Sequence, residues 1–301
     1  MRKIVICICV FFLIGCQTAP EGVVARVFDQ DITTDAFQRE FDFYETMYKT
    51  ELKDQWDQLT EEDKNKQNLT IEKGVLEKLI LRKLIDRELT NQGISITEKD
   101  LQHFKDEKIE ALGGQEEFAA FLKSAGIQES LFDDALREEY SLGLLKDAFA
   151  QTHELSDKEL EKVFEEHKEK FYKYSIRLIL VDTKDEAEEI YQSFRPFEEL
   201  AILHSKDVLS ATEGGKIENY HLGDREKALD EAVQAMEPKG KARIIEGEEG
   251  YYILHLDEKQ EDFSSLKEDV YRSAIHRDFE KYIETIRAKA EVKVFKKFAG
   301  K

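Results

Sequence analysis

Cysteine is nearly absent from this chain: three occur in 301 residues, Cys7, Cys9 and Cys16, all at the start. Downstream of Cys16 there is no material for a disulfide framework or a cysteine-bound metal. Basic charge is also scarce. Against 65 acidic side chains stand 45 lysines and arginines, a formal net charge of −20, which argues against nucleic acid as a partner and predicts repulsion from anionic lipid head groups. The apolar run Ile4 to Ile14 is too short to cross a bilayer as a mature helix. Tryptophan occurs once, at Trp56. G-x-S-x-G, phosphate-loop and H-E-x-x-H motifs are missing, so nothing in the chain reads as a hydrolase triad, a nucleotide site or a zinc protease. The pairs Glu165-Glu166 and Glu248-Glu249 read as solvated faces, and neither a metal nor a cofactor is implied.

What is present begins with MRKIVICICVFFLIGC: a basic start, an apolar run and a small residue before Cys16. Leu13-Ile14-Gly15-Cys16 resembles the lipobox of a bacterial lipoprotein signal, which implies removal of residues 1–15 and acylation of Cys16. An ordinary signal peptide or a short anchor is the alternative. With Arg2 and Lys3 gone, 43 basic side chains face 65 acidic ones, about −22, so attachment to a membrane has to be covalent. Gln17 follows the cysteine; by resemblance to proteobacterial sorting it is no inner-membrane retention signal, which implies the periplasmic face of the outer membrane.

After a tether over residues 16–22, Val23 to Phe28 reads as a short strand, and Thr33 or Thr34 as a helix cap. So short a strand needs a distant partner, and AEVKVFKKF near the C-terminus is the remaining β-like segment. Residues 35–171 read as helices. Phe37, Phe41, Tyr44 and Tyr48 recur at spacings of three and four, and Val75, Leu76, Leu79, Ile80, Leu84 and Ile85 form one apolar face. Thr97 with Asp100 and Ser156 with Glu159 mark helix starts. The polar stretch from Glu51 to Asn68 reads as a loop or frayed helix. Trp56 within it is either a client-contacting aromatic or the cover of a small satellite cluster. Phe263 to Ala290 is again an amphipathic helix.

Residues 172–258 open with an apolar strand ending at Val181, continue through helical segments and a Gly214-Gly215 turn, and close with the strand GYYILHL. A compact α/β unit follows, inserted between helices drawn from both chain ends. The fold class is α+β: a helical domain over 23–171, the α/β unit over 172–258, and a helix and strand over 259–301 that return to the helical domain.

VLEKLILRKLIDRELTNQGISITEKDL resembles the core helices of the SurA and PrsA periplasmic chaperones, and the central unit resembles their parvulin-type peptidyl-prolyl isomerase domain. The resemblance implies a foldase that binds unfolded or extended exported polypeptides. Parvulins lower an amide-rotation barrier of roughly 20 kcal/mol with two facing histidines, an Asp or Cys and an apolar proline pocket. Carried over by position, the first histidine is Leu178 and the second is Tyr252, next after Gly250-Tyr251. Asp207 keeps the acidic position, although an aspartate that merely turns its loop reads the same way. Ile217 and Leu229 stand at apolar pocket positions and Arg225 where methionine is usual; Glu218 replaces a glycine, and Gly247 falls where threonine is common. The resemblance thus implies weak or absent isomerase activity, unless the Tyr252 hydroxyl or His221 substitutes. His204 reads as a solvent-exposed or structural residue and His255 as a surface one. An active isomerase with a modified site and a structural lipoprotein with one partner are the alternatives.

Overall fold

The computed structural model describes residues 20–298, so the lipobox and Cys16 lie outside the described residues. Two compact units emerge, one of residues up to His153 together with those from Asp278 onward, the other of Glu154–Arg277.

The first unit starts with β1 (Val23–Val27) and β2 (Gln30–Thr33), followed by α1 (Thr34–Leu52), α2 (Asp54–Gln58), α3 (Glu61–Asn91), α4 (Glu98–Ala111), α5 (Gln115–Ala125) and α6 (Glu129–Thr152). The second holds α7 (Asp157–His167), β3 (Lys173–Val181), α8 (Lys184–Tyr191), α9 (Phe197–His204), β4 (Lys216–Tyr220), α10 (Lys227–Gln234), β5 (Arg243–Glu246) and β6 (Tyr251–Gln260). Helix α11 (Phe263–Ala288) starts in the second unit and ends in the first, which β7 (Val292–Val294) completes.

In the first unit β1 is the middle strand of the order β2-β1-β7, all antiparallel, with Ala25 opposite Val294 and Val27 opposite Val292. The strand from the far end supplies the ladder that a five-residue strand cannot make alone. The apolar face of α3 packs on this sheet and on Phe37 of α1. Farther along α3, Ile85 and Leu89 meet Leu145 of α6 and Phe279 of α11. The side-chain caps that the sequence marks are present at Thr33, Thr97 with Asp100, and Ser156 with Glu159, and Thr60 and Thr183 cap α3 and α8 as well. The stretch read as a loop or frayed helix is α2 and the opening turns of α3. Trp56 packs edge-on to Tyr48 at 6.0 Å, with the Lys49 ammonium 5.4 Å above its ring.

The second unit is built on an antiparallel sheet of order β4-β3-β6-β5. Alternation along β3 and β6 sends Ile176, Leu178, Leu180, Tyr252, Leu254 and Leu256 to the face covered by α10. Ile179, Val181 and Ile253 point to the opposite face, under α8 and α9. The unit is larger than residues 172–258. Leu160, Val163 and Phe164 of α7 form one buried cluster with Leu266, Val270 and Ala274 of α11. The sequence boundaries at 171/172 and 258/259 therefore fall inside it: α7 and the first half of α11 bury their apolar stripes against each other rather than in the helical unit.

Candidate functional site

The loop that follows α9 holds Asp207, the residue that the resemblance puts at the family's acidic position. Ser205 ends α9, and its hydroxyl accepts from Leu180 N at 3.2 Å and from Asp207 N at 3.3 Å, which ties the loop to β3. Lys206 N donates to Leu180 O at 2.8 Å, and Ser210 N and Ala211 N both return to Asp207 O. Beyond the loop, Leu178 N donates to Gly215 O at 2.9 Å. A Cβ on Gly215 would stand 2.4 Å from Leu178 O at a φ of +79°, so no other residue lets the two backbones approach this closely. Gly250 has the same role one strand away, where a Cβ would meet Val181 O at 2.3 Å.

This frame points the Asp207 side chain inward, where it is 6% exposed. A buried carboxylate needs partners, and it has them: the Ser210 hydroxyl donates to Oδ2, and Arg225 closes a two-pronged ion pair, Nη1 to Oδ1 at 3.1 Å and Nη2 to Oδ2 at 3.3 Å. The guanidinium that the sequence places on a pocket wall is thus turned onto the acid itself. Its fork matches a carboxylate and occupies both oxygens at once.

Leu178 and Tyr252 lie on the same sheet face, each buried in the cluster under α10. Leu178 offers no proton donor or acceptor. The Tyr252 hydroxyl donates to Glu249 Oε2 at 3.4 Å, and burial, together with the carboxylates of Glu226 and Glu249, pushes its pKa far above the usual phenol value. It stays protonated and cannot act as a base. Glu226 in turn accepts from Glu248 N at 2.7 Å, and its carboxylate fills the space that a side chain at Gly247 would need. Leu229 is wholly inside the core, and Ile217 packs on its edge from β4.

His221 donates its backbone N–H to Asp224 at 2.7 Å, and His204 is exposed at the end of α9. His255, read as a surface residue, is 20% exposed with Nδ1 3.0 Å from Asp257 Oδ1. Among the described residues no group of three or more His, Cys, Asp or Glu side chains is placed to hold a metal. The arrangement holds an ion pair on Asp207 beside an apolar core.

Two features of the helical unit escaped the sequence reading. One is a buried charge network: Glu40 of α1, 1% exposed, accepts from Lys78 at 2.8 Å and from Arg82 at 2.9 Å on α3, and Arg82 also reaches Glu138 of α6 at 3.1 Å. The other is an open cleft of about 890 Å³ between α1 and the α5–α6 connection, with Phe43, Met47, Ile127 and Leu131 among its lining. Its α1 residues fall at helical spacing on the side opposite Phe37, interleaved with polar residues, so no apolar periodicity announces it.

Known proteins match along both units. A model of the SurA-like N-terminal domain matches residues 1–146, and one of the PPIC-type PPIase domain matches residues 155–268. The chain is 27% identical over 268 residues to foldase protein PrsA of Caldanaerobacter subterraneus subsp. tengcongensis, covering 84% of this chain and 81% of that protein. With foldase protein PrsA 2 of Listeria monocytogenes it shares 28% over 146 residues, 47% of this chain and 48% of the relative. The solved structure of foldase protein PrsA from Streptococcus pneumoniae aligns over 86% of this chain and 88% of that one, at 17% identity and a TM-score of 0.45. With one domain model following the other along the chain, the protein belongs to the foldase and chaperone family that joins a SurA-like N-terminal domain to a parvulin-type peptidyl-prolyl isomerase domain.

Proposed function

We propose that the protein is a membrane-anchored extracytoplasmic chaperone or foldase that holds unfolded exported polypeptides, with its isomerase activity weak or lost. The observation that carries the reading is the closure of Asp207 by Arg225. Isomerisation requires groups that favour the twisted amide over the planar one. An acid already saturated by a guanidinium and a serine, flanked by Leu178 and a protonated Tyr252, offers little such preference. The parvulin unit then serves as a peptide-binding module, and the cleft beside Phe43 and Met47 is the client site of the helical unit.

Attachment is through acylated Cys16, on the periplasmic face of the outer membrane. The lipobox pattern and Gln17 support this, as does the chain's net charge of −20, which leaves electrostatic adsorption to anionic lipid unfavourable. Clients are extended polypeptides and not nucleic acid.

The decisive experiment runs two assays on one preparation: acceleration of X-Pro isomerisation in a short peptide, and suppression of aggregation of an unfolded envelope protein. Protection without acceleration is expected. Acceleration that disappears in Asp207→Ala would overturn the non-catalytic reading. Acyl labelling that is lost in Cys16→Ser, with the protein in the outer-membrane fraction, tests the anchor.

A further inference from the structure

The cleft of the helical unit carries information about what enters it. One stripe of α1 lines it, running from Asp35 through Arg39, Asp42, Phe43 and Met47 to Glu51. The stripe is ordered by chemistry. Asp35 and Asp42 occupy its first half, Phe43 and Met47 its middle, and Glu51 its far end, with Ile127 and Leu131 supplying apolar surface from the opposite wall. Met47 is 50% exposed, and a flexible thioether at such a surface adapts to varied apolar side chains.

The charges do not cancel. Arg39 is the one cationic residue lining the cleft among the described residues, and its guanidinium is engaged by Asp134 Oδ2 at 2.6 Å. Three carboxylates remain to set the field, inside a chain whose formal net charge is −20. At a rise of 1.5 Å per residue, Asp35 and Glu51 lie about 24 Å apart along the helix, the reach of roughly seven residues of extended chain.

We propose that this cleft selects extended polypeptide segments with an apolar centre and lysine or arginine at their flanks. The inference rests on the cleft being the client site and adds the charge preference that its lining dictates. Apolar side chains seat on Phe43, Met47, Ile127 and Leu131, while flanking cations meet Asp35 and Asp42 at one end and Glu51 at the other. A segment flanked by glutamates places like charge against like at both ends. The preference is electrostatic at an open surface, so salt weakens it while leaving the apolar contribution.

The test is fluorescence anisotropy with full-length protein and three labelled peptides. They share one apolar centre of about five residues and carry lysine pairs, serine pairs or glutamate pairs at both ends. At low salt the lysine-flanked peptide binds roughly tenfold more tightly than the glutamate-flanked one, several exposed ion pairs adding together. The difference collapses at about 0.5 M salt. The triple variant Asp35→Asn, Asp42→Asn, Glu51→Gln removes the difference and leaves serine-flanked binding in place, and Met47→Gln weakens all three peptides.

Equal affinity for lysine and glutamate flanks, or a lysine advantage that survives in the triple variant, overturns the charge preference. If Met47→Gln still weakens binding in that case, the cleft stands as the client site. If no peptide binds, or Met47→Gln changes none of the affinities, the client-site reading and the inference fall together. Far-ultraviolet circular dichroism of each variant, unchanged from the parent, excludes unfolding as the cause.

Discussion

Removing Arg225 while leaving Asp207 in place would strand a carboxylate that is 6% exposed, with only the Ser210 hydroxyl to stabilise its charge. Arg225→Met is therefore expected to destabilise the isomerase-like unit by about 2–4 kcal/mol, toward the lower end of the range for broken buried pairs because the guanidinium keeps some solvent contact. Adding Asp207→Asn to that variant removes the stranded charge and recovers part of the loss. A double-mutant cycle by urea denaturation checks this; additive losses would show that the pair is not coupled. Glu40 poses the same problem from the acidic side. With Glu40→Ala, Lys78 and Arg82 lose their shared buried partner, and the helical unit is expected to lose about 3–5 kcal/mol. Burial alone would lower the Lys78 pKa, but the hydrogen bond and charge of Glu40, with Glu138 behind them, raise it above the usual 10.5 overall. A raised folded pKa means that the contribution is whole below 10.5 and is lost as pH climbs through the folded value. Glu40→Gln should accordingly flatten the alkaline limb of the stability profile, measured by thermal melts across pH 9–12.

Single elements obey the same logic through their ends. Helix α11 opens on Asp262, whose carboxylate accepts from Ser265 N at 3.0 Å and from the hydroxyls of Ser264 and Ser265. Those hydroxyl bonds first, then the backbone bond, hold its pKa down at about 2. A depressed carboxylate contributes above its ordinary value of 3.8 and ceases to contribute as pH falls toward 2. Hydrogen exchange at Ser264 to Leu266 is expected to speed up as pH falls through that window, once corrected for intrinsic exchange, and Asp262→Ala should speed it at neutral pH. The start of α11 and its helical period were legible in the sequence; its division between two units was not. Leu266, Val270, Phe279 and Tyr282 keep one rhythm from end to end, and periodicity says which side of a helix is apolar without saying which core receives it. The caps at Thr97 and Ser156, by contrast, are local devices and could be read locally. So could β7, as the leftover strand that β1 required.

At the scale of the molecule, the sequence offers candidate site positions, Asp207, Leu178 and Tyr252, and leaves their geometry open. That Arg225 turns inward onto Asp207, 18 residues away, could not be read, since the same residue on the same loop could equally have faced solvent. The division into units has a sharper consequence. Residues 154–277 contain the cluster under α10, the cluster under α8 and α9, and the α7–α11 cluster, all closed among themselves. The helical unit is different, because its core is completed from beyond Arg277. Phe279 and Tyr282 pack on Phe149 with ring centroids 5.6 and 5.1 Å away, Tyr282 donates to Glu88 at 2.7 Å, and β7 pairs with β1 through Val292 and Val294. Burying each such apolar side chain contributes about 1.5–3 kcal/mol, against a total stability of about 5–15 kcal/mol for a domain. A chain ending at Arg277 should thus lose the cooperative melt of its helical unit while its isomerase-like unit still unfolds as one transition, and residues 154–277 expressed alone should give a dispersed proton–nitrogen spectrum. A truncated chain that melts like the intact protein would mean that the N-terminal helices do not depend on the C-terminal segment.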